Sequence, residues 1–281
     1  MSGAVETVVA RPPRPAPAGG PPVIEVRKLC AHYGKRQVLF DIDLEVSKGE
    51  IMVIMGGSGS GKSTLLRQVI GLERPSSGAI HVLGQDINAI GARAMLDLRR
   101  KLGFAFQGGA LFSSMSVAEN IMLPLSEHTS LDRKTMEIMA RLKLEIVNLA
   151  GFGGLMPSEL SGGMLKRAAV ARAIVMDPSL LFFDEPSAGL DPAVSRALDD
   201  LILLLRDAMN MSIVVVTHEL ESAFGIADRI TVLDRGHILA VDTVANIRNS
   251  PNERIQNLLN RRSDVAEPDA EEYLRRLAGE A

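Results

Sequence analysis

The spacing of hydrophobic and polar residues changes several times along the chain, and each change predicts a different structural element. Residues 23–33 and 37–47 alternate apolar and polar positions, which is typical of antiparallel strands with one buried face. Residues 51–55 are a continuous apolar run, as expected of a strand that is covered on both sides. Residues 63–70 repeat apolar positions every three or four residues, which predicts a helix that ends at Gly71.

The rest of the chain continues to alternate strands and helices, with one interruption. Short apolar runs predict further strands at residues 79–83, 102–106, 180–183, 212–217, 230–233 and 237–241. Helical spacing predicts helices at residues 92–101, 116–124, 133–150, 162–176, 192–208, 219–227, 253–262 and 269–277. Turns are predicted at residues 34–35, 74–78, 84–86 and 234–236. The alternation indicates a mostly parallel sheet, whereas residues 108–176 carry no strand signal and predict a helical insert.

These elements divide the chain into three predicted parts. Residues 1–22 are rich in Pro, Ala and Gly and are expected to be disordered or extended. Residues 23–250 hold the predicted α/β domain, with a helical subdomain at about 108–176. Residues 251–281 form a predicted helical tail, broken at Pro268. Its two helices are too short to be stable alone, so we expect them to dock on this domain or on a second copy of the chain.

Composition narrows the class of protein. With 46% hydrophobic and 23% charged residues, the chain is an ordinary globular protein with a sizeable core. Its net charge of −3 argues against electrostatic capture of nucleic acid. The one cysteine, Cys30, excludes an internal disulfide and is expected as a small hydrophobic residue in a strand. No apolar run approaches the roughly 20 residues needed to span a bilayer, and no secretory leader is evident, so we expect the chain in the cytoplasm.

The first chemical motif is a glycine-rich loop between the strand at residues 51–55 and the helix at residues 63–70. Residues 56–63 have the pattern Gly-x-x-x-x-Gly-Lys-Ser. Glycines let successive backbone N–H groups point at a phosphate, and the positive end of the following helix adds to the attraction. In this motif Lys62 reaches the β- and γ-phosphates and Ser63 binds Mg²⁺. A strand, this loop and a helix in that order predict a site for a nucleoside triphosphate.

Two acidic residues end the apolar run at residues 180–183. Asp184 is placed to hold Mg²⁺, and Glu185 is placed to polarise an attacking water. Such a pair alone usually marks only the end of a strand. The phosphate loop upstream favours the catalytic interpretation here.

A second candidate anion site is the Leu-Ser-Gly-Gly-Met segment at residues 160–164. Ser161 is a good helix cap, and the two glycines leave the first backbone N–H groups of the helix uncovered. Lys166 and Arg167 on the same helix favour an anion site, although the spacing alone suits a simple turn equally well.

The segment at residues 160–164 resembles the signature of ATP-binding-cassette (ABC) ATPases, and the other motifs of that family occur in order. Gln107 resembles the glutamine of the Q-loop, which contacts Mg²⁺ and the attacking water. Residues 187–191 match the D-loop, and His218 matches the switch histidine at the γ-phosphate. Tyr33 is placed like the aromatic residue that stacks on adenine.

The resemblance covers roughly residues 23–249 and implies a phosphate-loop α/β fold. It implies the ABC nucleotide-binding domain, with a parallel-sheet ATPase core, an antiparallel β-subdomain and an inserted helical subdomain. The implied catalytic residues are Glu185, His218 and Gln107. The implied Mg²⁺ ligands are Ser63, Gln107 and Asp184. The implied ATP-binding residues are Tyr33, Gly56, Gly57, Ser58, Gly59, Ser60, Gly61, Lys62, Ser63, Thr64, Ser161, Gly162, Gly163 and Asp191.

Within this family the chain looks like the ATPase subunits of Mla-type phospholipid transporters, which serve outer-membrane lipid asymmetry. Four segments carry that similarity, namely residues 107–112, 117–129, 156–164 and 251–259. Met164 departs from the Gln that most cassettes have after Leu-Ser-Gly-Gly. Because the serine and glycine contacts are mainly made by the backbone, we expect nucleotide binding to survive this change.

The resemblance also implies partners. Two copies of the chain would pair head to tail, with each ATP between Lys62 of one copy and Ser161 of the other. An integral-membrane permease would dock on the helical insert just after Gln107, with a periplasmic lipid-binding subunit and a small cytoplasmic accessory subunit completing the transporter. The apolar residues offered for docking are Leu111, Phe112, Met115, Met122 and Leu123, of which about half are expected in the core instead. The implied location is peripheral, on the cytoplasmic face of the inner membrane.

Other protein classes fit the motifs less well. Chromosome-maintenance and repair ATPases separate the phosphate loop from the acidic strand with long coiled coils, and no sustained heptads lie between Lys62 and Asp184 here. Translation factors of this superfamily carry two cassettes per chain, and phosphate-loop kinases lack the signature segment. The alternative that stays open is the ATPase subunit of an ABC importer for a small polar solute.

Overall fold

The computed structural model describes residues 20–260, in which strands and helices alternate. The strands are β1 Ile24–Tyr33, β2 Arg36–Val46, β3 Ile51–Met55, β4 Ser77–Val82, β5 Gln85–Asp86, β6 Leu102–Ala105, β7 Leu180–Asp184, β8 Ser212–Thr217, β9 Arg229–Asp234 and β10 His237–Thr243. The helices are α1 Lys62–Val69, α2 Ala92–Arg99, α3 Val117–His128, α4 Arg133–Ile146, α5 Gly162–Ala173, α6 Pro192–Met209, α7 Leu220–Ile226, α8 Val244–Arg248 and α9 Glu253–Leu259. Most of the Pro-rich start and the predicted helix at residues 269–277 lie outside the described residues.

The larger sheet has six strands in the order β10-β9-β3-β8-β7-β6. All neighbours are parallel except β10 and β9, which confirms the predicted mostly parallel sheet. Every residue of β3 and β8 is buried, as their continuous apolar runs predict. Met55 pairs with Thr217 and Asp184 pairs with Val216. The carboxyl ends of β3, β7 and β8 therefore meet at one edge of the sheet.

Apolar side chains cover both faces of this sheet and form two clusters. Phe183 belongs to the cluster that includes residues of α3 to α7, and Phe182 belongs to the cluster that includes α1 and the smaller sheet. Neighbouring residues of a strand point to opposite faces, so this one strand contributes to both clusters. Within residues 20–260, none of the helices is apolar over the length that crossing a membrane would require.

The smaller sheet is antiparallel, in the order β2-β1-β4-β5, which confirms the two alternating strands predicted near the start. Cys30 lies in β1, as predicted, and is half-buried. The turn predicted at residues 84–86 was placed one residue too late. Leu83 and Gly84, with φ values of 50° and 76°, form the turn, and β5 then pairs back on β4. Two residues with positive φ suit the twist of a hairpin.

Helix α3 extends four residues beyond Pro124, where the sequence predicted its end. A proline inside a helix costs roughly 3 kcal/mol or more because it removes one hydrogen bond and crowds the preceding turn. Ile121 and Leu125 are 0% and 1% exposed in the core on either side of the proline. Their burial offsets that cost, so packing overrides the local signal.

Helices α4 and α5 end earlier than predicted. The apolar pattern misled the prediction, because the residues that follow each helix are also buried in the core. Asn148 adopts the left-handed conformation, with a φ of 55°, just beyond α4. The N–H of Leu149 then donates to the carbonyl of Leu144 at 2.8 Å, which closes the helix end. The apolar residues that follow the two helices and remain in the core are Val147, Leu149, Ile174 and Val175.

The domain ends with a helix that the sequence did not predict, α8, and the tail begins with one that it did, α9. Ile255 of α9 is 1% exposed and belongs to the main core. Gln256 Nε2 donates to the carbonyls of Arg248 and Ser250 at 3.0 and 2.9 Å. The first helix of the tail therefore docks on its own chain.

Candidate active site

The glycine-rich loop joins β3 to α1, at the edge of the sheet where β7 and β8 also end. Gly61 caps α1 with a φ of 108°, a conformation that favours glycine. A Cβ atom at Gly56 would lie 2.1 Å from the carbonyl oxygen of Leu233, so only glycine fits there. Gly57 and Gly59 would place a Cβ in open space. The inner side of the loop is tightly packed, and its outer side is uncovered.

Lys62 lies at the first position of α1 with its ammonium group over the loop. Its Nζ donates to the carbonyls of Gly56 at 2.8 Å and Gly57 at 3.0 Å. Burial lowers the pKa of Lys62, and the negative charges of Glu185 and Asp184 oppose that shift. Both acids therefore favour the charged form of this ammonium.

The polar residues around Lys62 fit a phosphate and a divalent cation. The buried Ser60 hydroxyl has no hydrogen-bond partner among the described residues, and Ser63 is exposed. No cluster of three His, Cys, Asp or Glu in metal-binding geometry occurs in the described part of the chain. Mg²⁺ needs no such cluster when phosphate oxygens and water complete its shell around one or two protein ligands.

Asp184 is the last residue of β7, and Glu185 follows it with a φ of 48°. Burial raises the pKa of Asp184, as does the charge of Glu185, while Arg67 and Lys62 lower it. The left-handed backbone of Glu185 costs about 1–2 kcal/mol in a non-glycine residue. The Glu185 N–H donates to the Val216 carbonyl at 2.8 Å, which helps to hold this conformation.

His218 follows β8 and makes two contacts with Glu185. Its backbone N–H donates to Oε2 of Glu185 at 3.3 Å, and its Nδ1 lies 2.9 Å from Oε1. The Glu185 side chain is 12% exposed, whereas that of His218 is 56% exposed. The pairing brings together a carboxylate and an imidazole that the sequence places 33 residues apart.

Gln107 is exposed on the loop after β6. Ala105 pairs with Phe183 in the parallel sheet, and Gln107 and Glu185 each lie two residues beyond that pair. The loop carrying Gln107 therefore leaves the same edge of the sheet as the strand that carries the two acids.

Tyr33 is 47% exposed at the end of β1. A hydrogen bond that the sequence did not reveal tethers its side chain. Its hydroxyl donates to Oε2 of Glu73 at 2.6 Å, and Oε1 of Glu73 lies 3.5 Å from Nη1 of Arg67 on α1. Glu73 lies in a turn, 40 residues from Tyr33, where no local pattern points to it. The tether fixes the orientation of the exposed ring relative to the phosphate loop.

We expect Glu73→Ala to raise the KM for ATP about three- to tenfold, the range of one hydrogen bond, with little change in kcat. The ring remains, but the contact that orients it is lost. ATPase rates measured against ATP concentration would show this split, with Glu145→Ala as the matched control at an exposed glutamate of α4. An unchanged KM, or an equal fall in kcat, would contradict the role assigned to Glu73.

The signature segment opens α5. Ser161 caps the helix by accepting a hydrogen bond from the Met164 N–H at 3.3 Å, as predicted. Ser161 and Gly162 are exposed, and a Cβ at Gly163 would lie 2.6 Å from Val194 on α6. Within residues 20–260, no hydrogen bond or ion pair joins residues 161–163 to the phosphate loop.

Lys166 does not support the anion site as the sequence suggested. Its Nζ donates to the carbonyls of Pro186 and Ala188, each at 2.6 Å. The cation is thus engaged by the loop after Glu185. That loop ends at Asp191, which caps α6 by accepting from the N–H groups of Ala193 and Val194 at 3.1 and 3.0 Å.

A groove of about 370 Å³ lies between the sheet and the helical insert, next to Gln107. Phe106 and Phe112 are 44% and 52% exposed in its lining. Asn120 is fully buried and holds the Phe112 loop by accepting from the Phe112 N–H at 2.7 Å and donating to the Phe112 carbonyl at 3.0 Å. The basic residues of the lining are Arg99, Arg100, His128 and Arg172.

The five apolar residues expected at a docking surface divide between the groove and the core. Phe112 and Leu123 line the groove. Met122 is 9% exposed and belongs to the core, and Leu111 packs against that core. The fifth, Met115, is half-buried at the end of the Phe112 loop.

Comparison with known proteins matches this arrangement to a described family. The family model described as "ABC transporter" matches residues 39–188. The Intermembrane phospholipid transport system ATP-binding protein MlaF of Haemophilus influenzae is 40% identical over 242 residues, which cover 86% of this chain and 92% of the relative. The "Probable ribonucleotide transport ATP-binding protein mkl" of Mycobacterium leprae is 38% identical over 216 residues, 77% of this chain and 62% of the relative.

A solved structure shows the same fold. The dimeric ATP-binding cassette MJ0796, in a post-hydrolysis state bound to ADP and Pi, is similar with a TM-score of 0.72 and 29% sequence identity. The similarity covers 79% of this chain and 98% of that cassette. The fold predicted from the sequence is confirmed by this likeness.

Proposed function

The chain belongs to the ABC transporter family, and from that premise we propose that it is the ATP-hydrolysing subunit of an intermembrane phospholipid transporter. The observation that carries the proposal is the 40% identity with MlaF of Haemophilus influenzae over 92% of that protein. Nucleotide motifs are common to the whole family, whereas similarity of this extent includes the surfaces that face other subunits. The transporter would maintain the lipid asymmetry of the outer membrane.

ATP binding is assigned to the loop between β3 and α1 and to Tyr33. Backbone N–H groups of residues 57–64 and the Lys62 ammonium would take the charge of the phosphates. Ser63, Asp184 and Gln107 would hold Mg²⁺. The cation supplies charge neutralisation of the β- and γ-phosphates when bound.

Hydrolysis is assigned to Glu185 as general base, oriented by His218. The carboxylate accepts a proton from water, the water oxygen bonds to the γ-phosphorus, and the bond from that phosphorus to the bridging oxygen breaks to leave ADP and phosphate. The contacts of 2.9 and 3.3 Å from His218 keep the carboxylate in one orientation. Lys62 stabilises the negative charge that develops on the phosphoryl oxygens.

The second half of each ATP site would come from a second copy of the chain. One support is the dimeric state of MJ0796. The other is that, within residues 20–260, no hydrogen bond or ion pair joins residues 161–163 to the phosphate loop of the same chain. In a head-to-tail pair, Ser161, Gly162 and Gly163 of one copy would meet the nucleotide on Lys62 of the other. Asp191 would lie in the loop between the two sites.

The remaining proposed partners are an integral-membrane permease, a periplasmic lipid-binding subunit and a small cytoplasmic accessory subunit. The groove beside Gln107 is the proposed permease contact, because its lining combines exposed aromatic rings with basic side chains. The chain would then be peripheral on the cytoplasmic face of the inner membrane. We also propose residues 1–22 as a Pro-rich N-terminal segment, 23–250 as the cassette and 251–281 as a C-terminal helical tail.

Affinity purification from the native membrane tests this function. We expect the tagged chain to bring along a multispanning permease and phospholipid, both identified by mass spectrometry. A permease accompanied by a soluble binding protein for a polar solute, with no lipid, would instead support the importer alternative. The 38% identity with the mkl protein of Mycobacterium leprae makes that alternative the second candidate.

The same purification, carried out with a chain substituted in the groove, tests the groove as the permease contact. Phe112→Ser should weaken recovery of the permease about 30-fold, the effect of losing one well-packed aromatic contact at an interface. Leu204→Ser is the matched control, since Leu204 on α6 is 50% exposed and lies outside the groove. Equal recovery with both variants would contradict the groove as the docking surface.

A further inference from the structure

The side chain of Lys166 joins the signature helix to the backbone that follows Glu185. Its Nζ lies 2.6 Å from the carbonyl oxygens of Pro186 and Ala188 and 3.5 Å from that of Glu185. A lysine ammonium has three N–H donors, so these carbonyls account for its hydrogen-bonding capacity. Within residues 20–260, no carboxylate lies within ion-pair distance of this ammonium.

Charge strengthens this contact. Burial lowers the pKa of Lys166, and the negative charge of Glu185 opposes that shift. Hydrogen bonds from a charged donor are shorter and stronger than those between neutral groups, as the two distances of 2.6 Å illustrate. The Lys166 ammonium therefore holds the loop after Glu185 in place through charged hydrogen bonds and is not a free surface charge.

The loop after Glu185 has few stabilising hydrogen bonds of its own, so contacts with other elements must hold it. The backbone of Glu185 is in the left-handed conformation. The hydrogen bond within the loop, from the Ala188 N–H to the Glu185 carbonyl, is long at 3.3 Å. Ser187 is 5% exposed, and its hydroxyl has no hydrogen-bond partner in the part of the chain that the structure describes. The Lys166 side chain fixes the first turn of this loop to α5.

We propose that Lys166 is a positioning residue that couples the signature segment to the catalytic Glu185 of the same chain. The inference rests on the proposed function. In the proposed dimer, Ser161 at the start of α5 meets the ATP held by the partner, while Glu185 acts on the ATP held by its own Lys62. Lys166, about one turn into α5, transmits a shift of that helix to the Glu185 backbone. One ATP site thereby controls the geometry of the other.

Lys166→Met tests the coupling in the full-length chain, since methionine fills similar space without a donor. We expect kcat to fall about tenfold, because small displacements of a catalytic group have effects of that order or larger. The Hill coefficient for ATP should fall from near two towards one, since two linked sites set its upper limit. The affinity for ATP without Mg²⁺ should change by less than about twofold, since Lys166 does not contact nucleotide in the proposed site.

Three controls separate positioning from simple support of the fold. Lys166→Arg keeps the charge and the donors and should restore most of the rate and the cooperativity. Lys134→Gln, at an exposed lysine of α4, should leave all three quantities unchanged. The melting temperature of each variant is measured in parallel.

The inference is overturned by either of two results. One is Lys166→Met with the kcat and Hill coefficient of the unmodified chain. The other is a common loss of melting temperature, ATP affinity and rate that Lys166→Arg does not restore, which would indicate a purely structural role. Failure of the proposed hydrolysis looks different, because the unmodified chain would then have no ATPase activity to alter, and both proposals would fall. A different cargo, by contrast, would change the co-purified partners and leave this kinetic test as it stands.

Discussion

Replacing Glu185 with Gln should lower ATP turnover by a factor of about 10²–10⁴, the usual scale for loss of a general base, while ATP binding survives. Glutamine has nearly the same shape and can keep a contact with His218, but its amide cannot accept the proton of the attacking water. Asp184 and Lys62 remain, so the phosphates and Mg²⁺ keep their partners. Phosphate release at saturating ATP measures turnover, and equilibrium binding of ATP measures the retained affinity.

Glu221→Gln is the matched control for this substitution, because it makes the same chemical change at an exposed glutamate in the first turn of α7. It should hydrolyse ATP like the unmodified chain. Near-normal hydrolysis by Glu185→Gln in a preparation free of other ATPases would refute the assignment of the base.

Two variants that are inactive alone should recover activity when mixed. Lys62→Ala removes the cation from the phosphate loop, and Ser161→Arg blocks the signature segment, so each homodimer has two damaged sites. A mixed dimer contains one intact site, built from Lys62 of one chain and Ser161 of the other. Equal mixing makes half of the dimers mixed, so two independent sites would give about a quarter of the unmodified rate. The coupling proposed for Lys166 lowers this rate further, because the active Glu185 of the mixed dimer lies in the chain whose own signature segment is blocked.

The mixing experiment needs proof that mixed dimers form, which two different affinity tags and sequential purification provide. Ser161 also caps α5, and loss of such a cap costs about 1 kcal/mol, so the folded state of Ser161→Arg is checked by thermal unfolding. A purified mixed dimer with no activity above either parent would exclude the composite site.

The strands and the phosphate loop were predictable because their signals are local. Alternation in β1 and β2 and the unbroken apolar runs of β3 and β8 report directly which faces are buried. The phosphate loop is one contiguous segment whose glycines and lysine act together, so its chemistry is visible without a structure. Ser161 as a helix cap was recognised for the same reason.

Packing between distant elements decided the rest. Helix α3 passes through Pro124 because buried neighbours hold it, and the end of α4 was hidden because apolar residues continue into the core beyond it. The partner of Tyr33 is 40 residues away, and the carbonyls bound by Lys166 are on another element. A short window of sequence constrains backbone conformation and burial, but which side chains meet depends on how whole elements pack. The sequence alone therefore determined the fold class and the nucleotide motifs, and the tertiary structure decided how those motifs are tethered to one another.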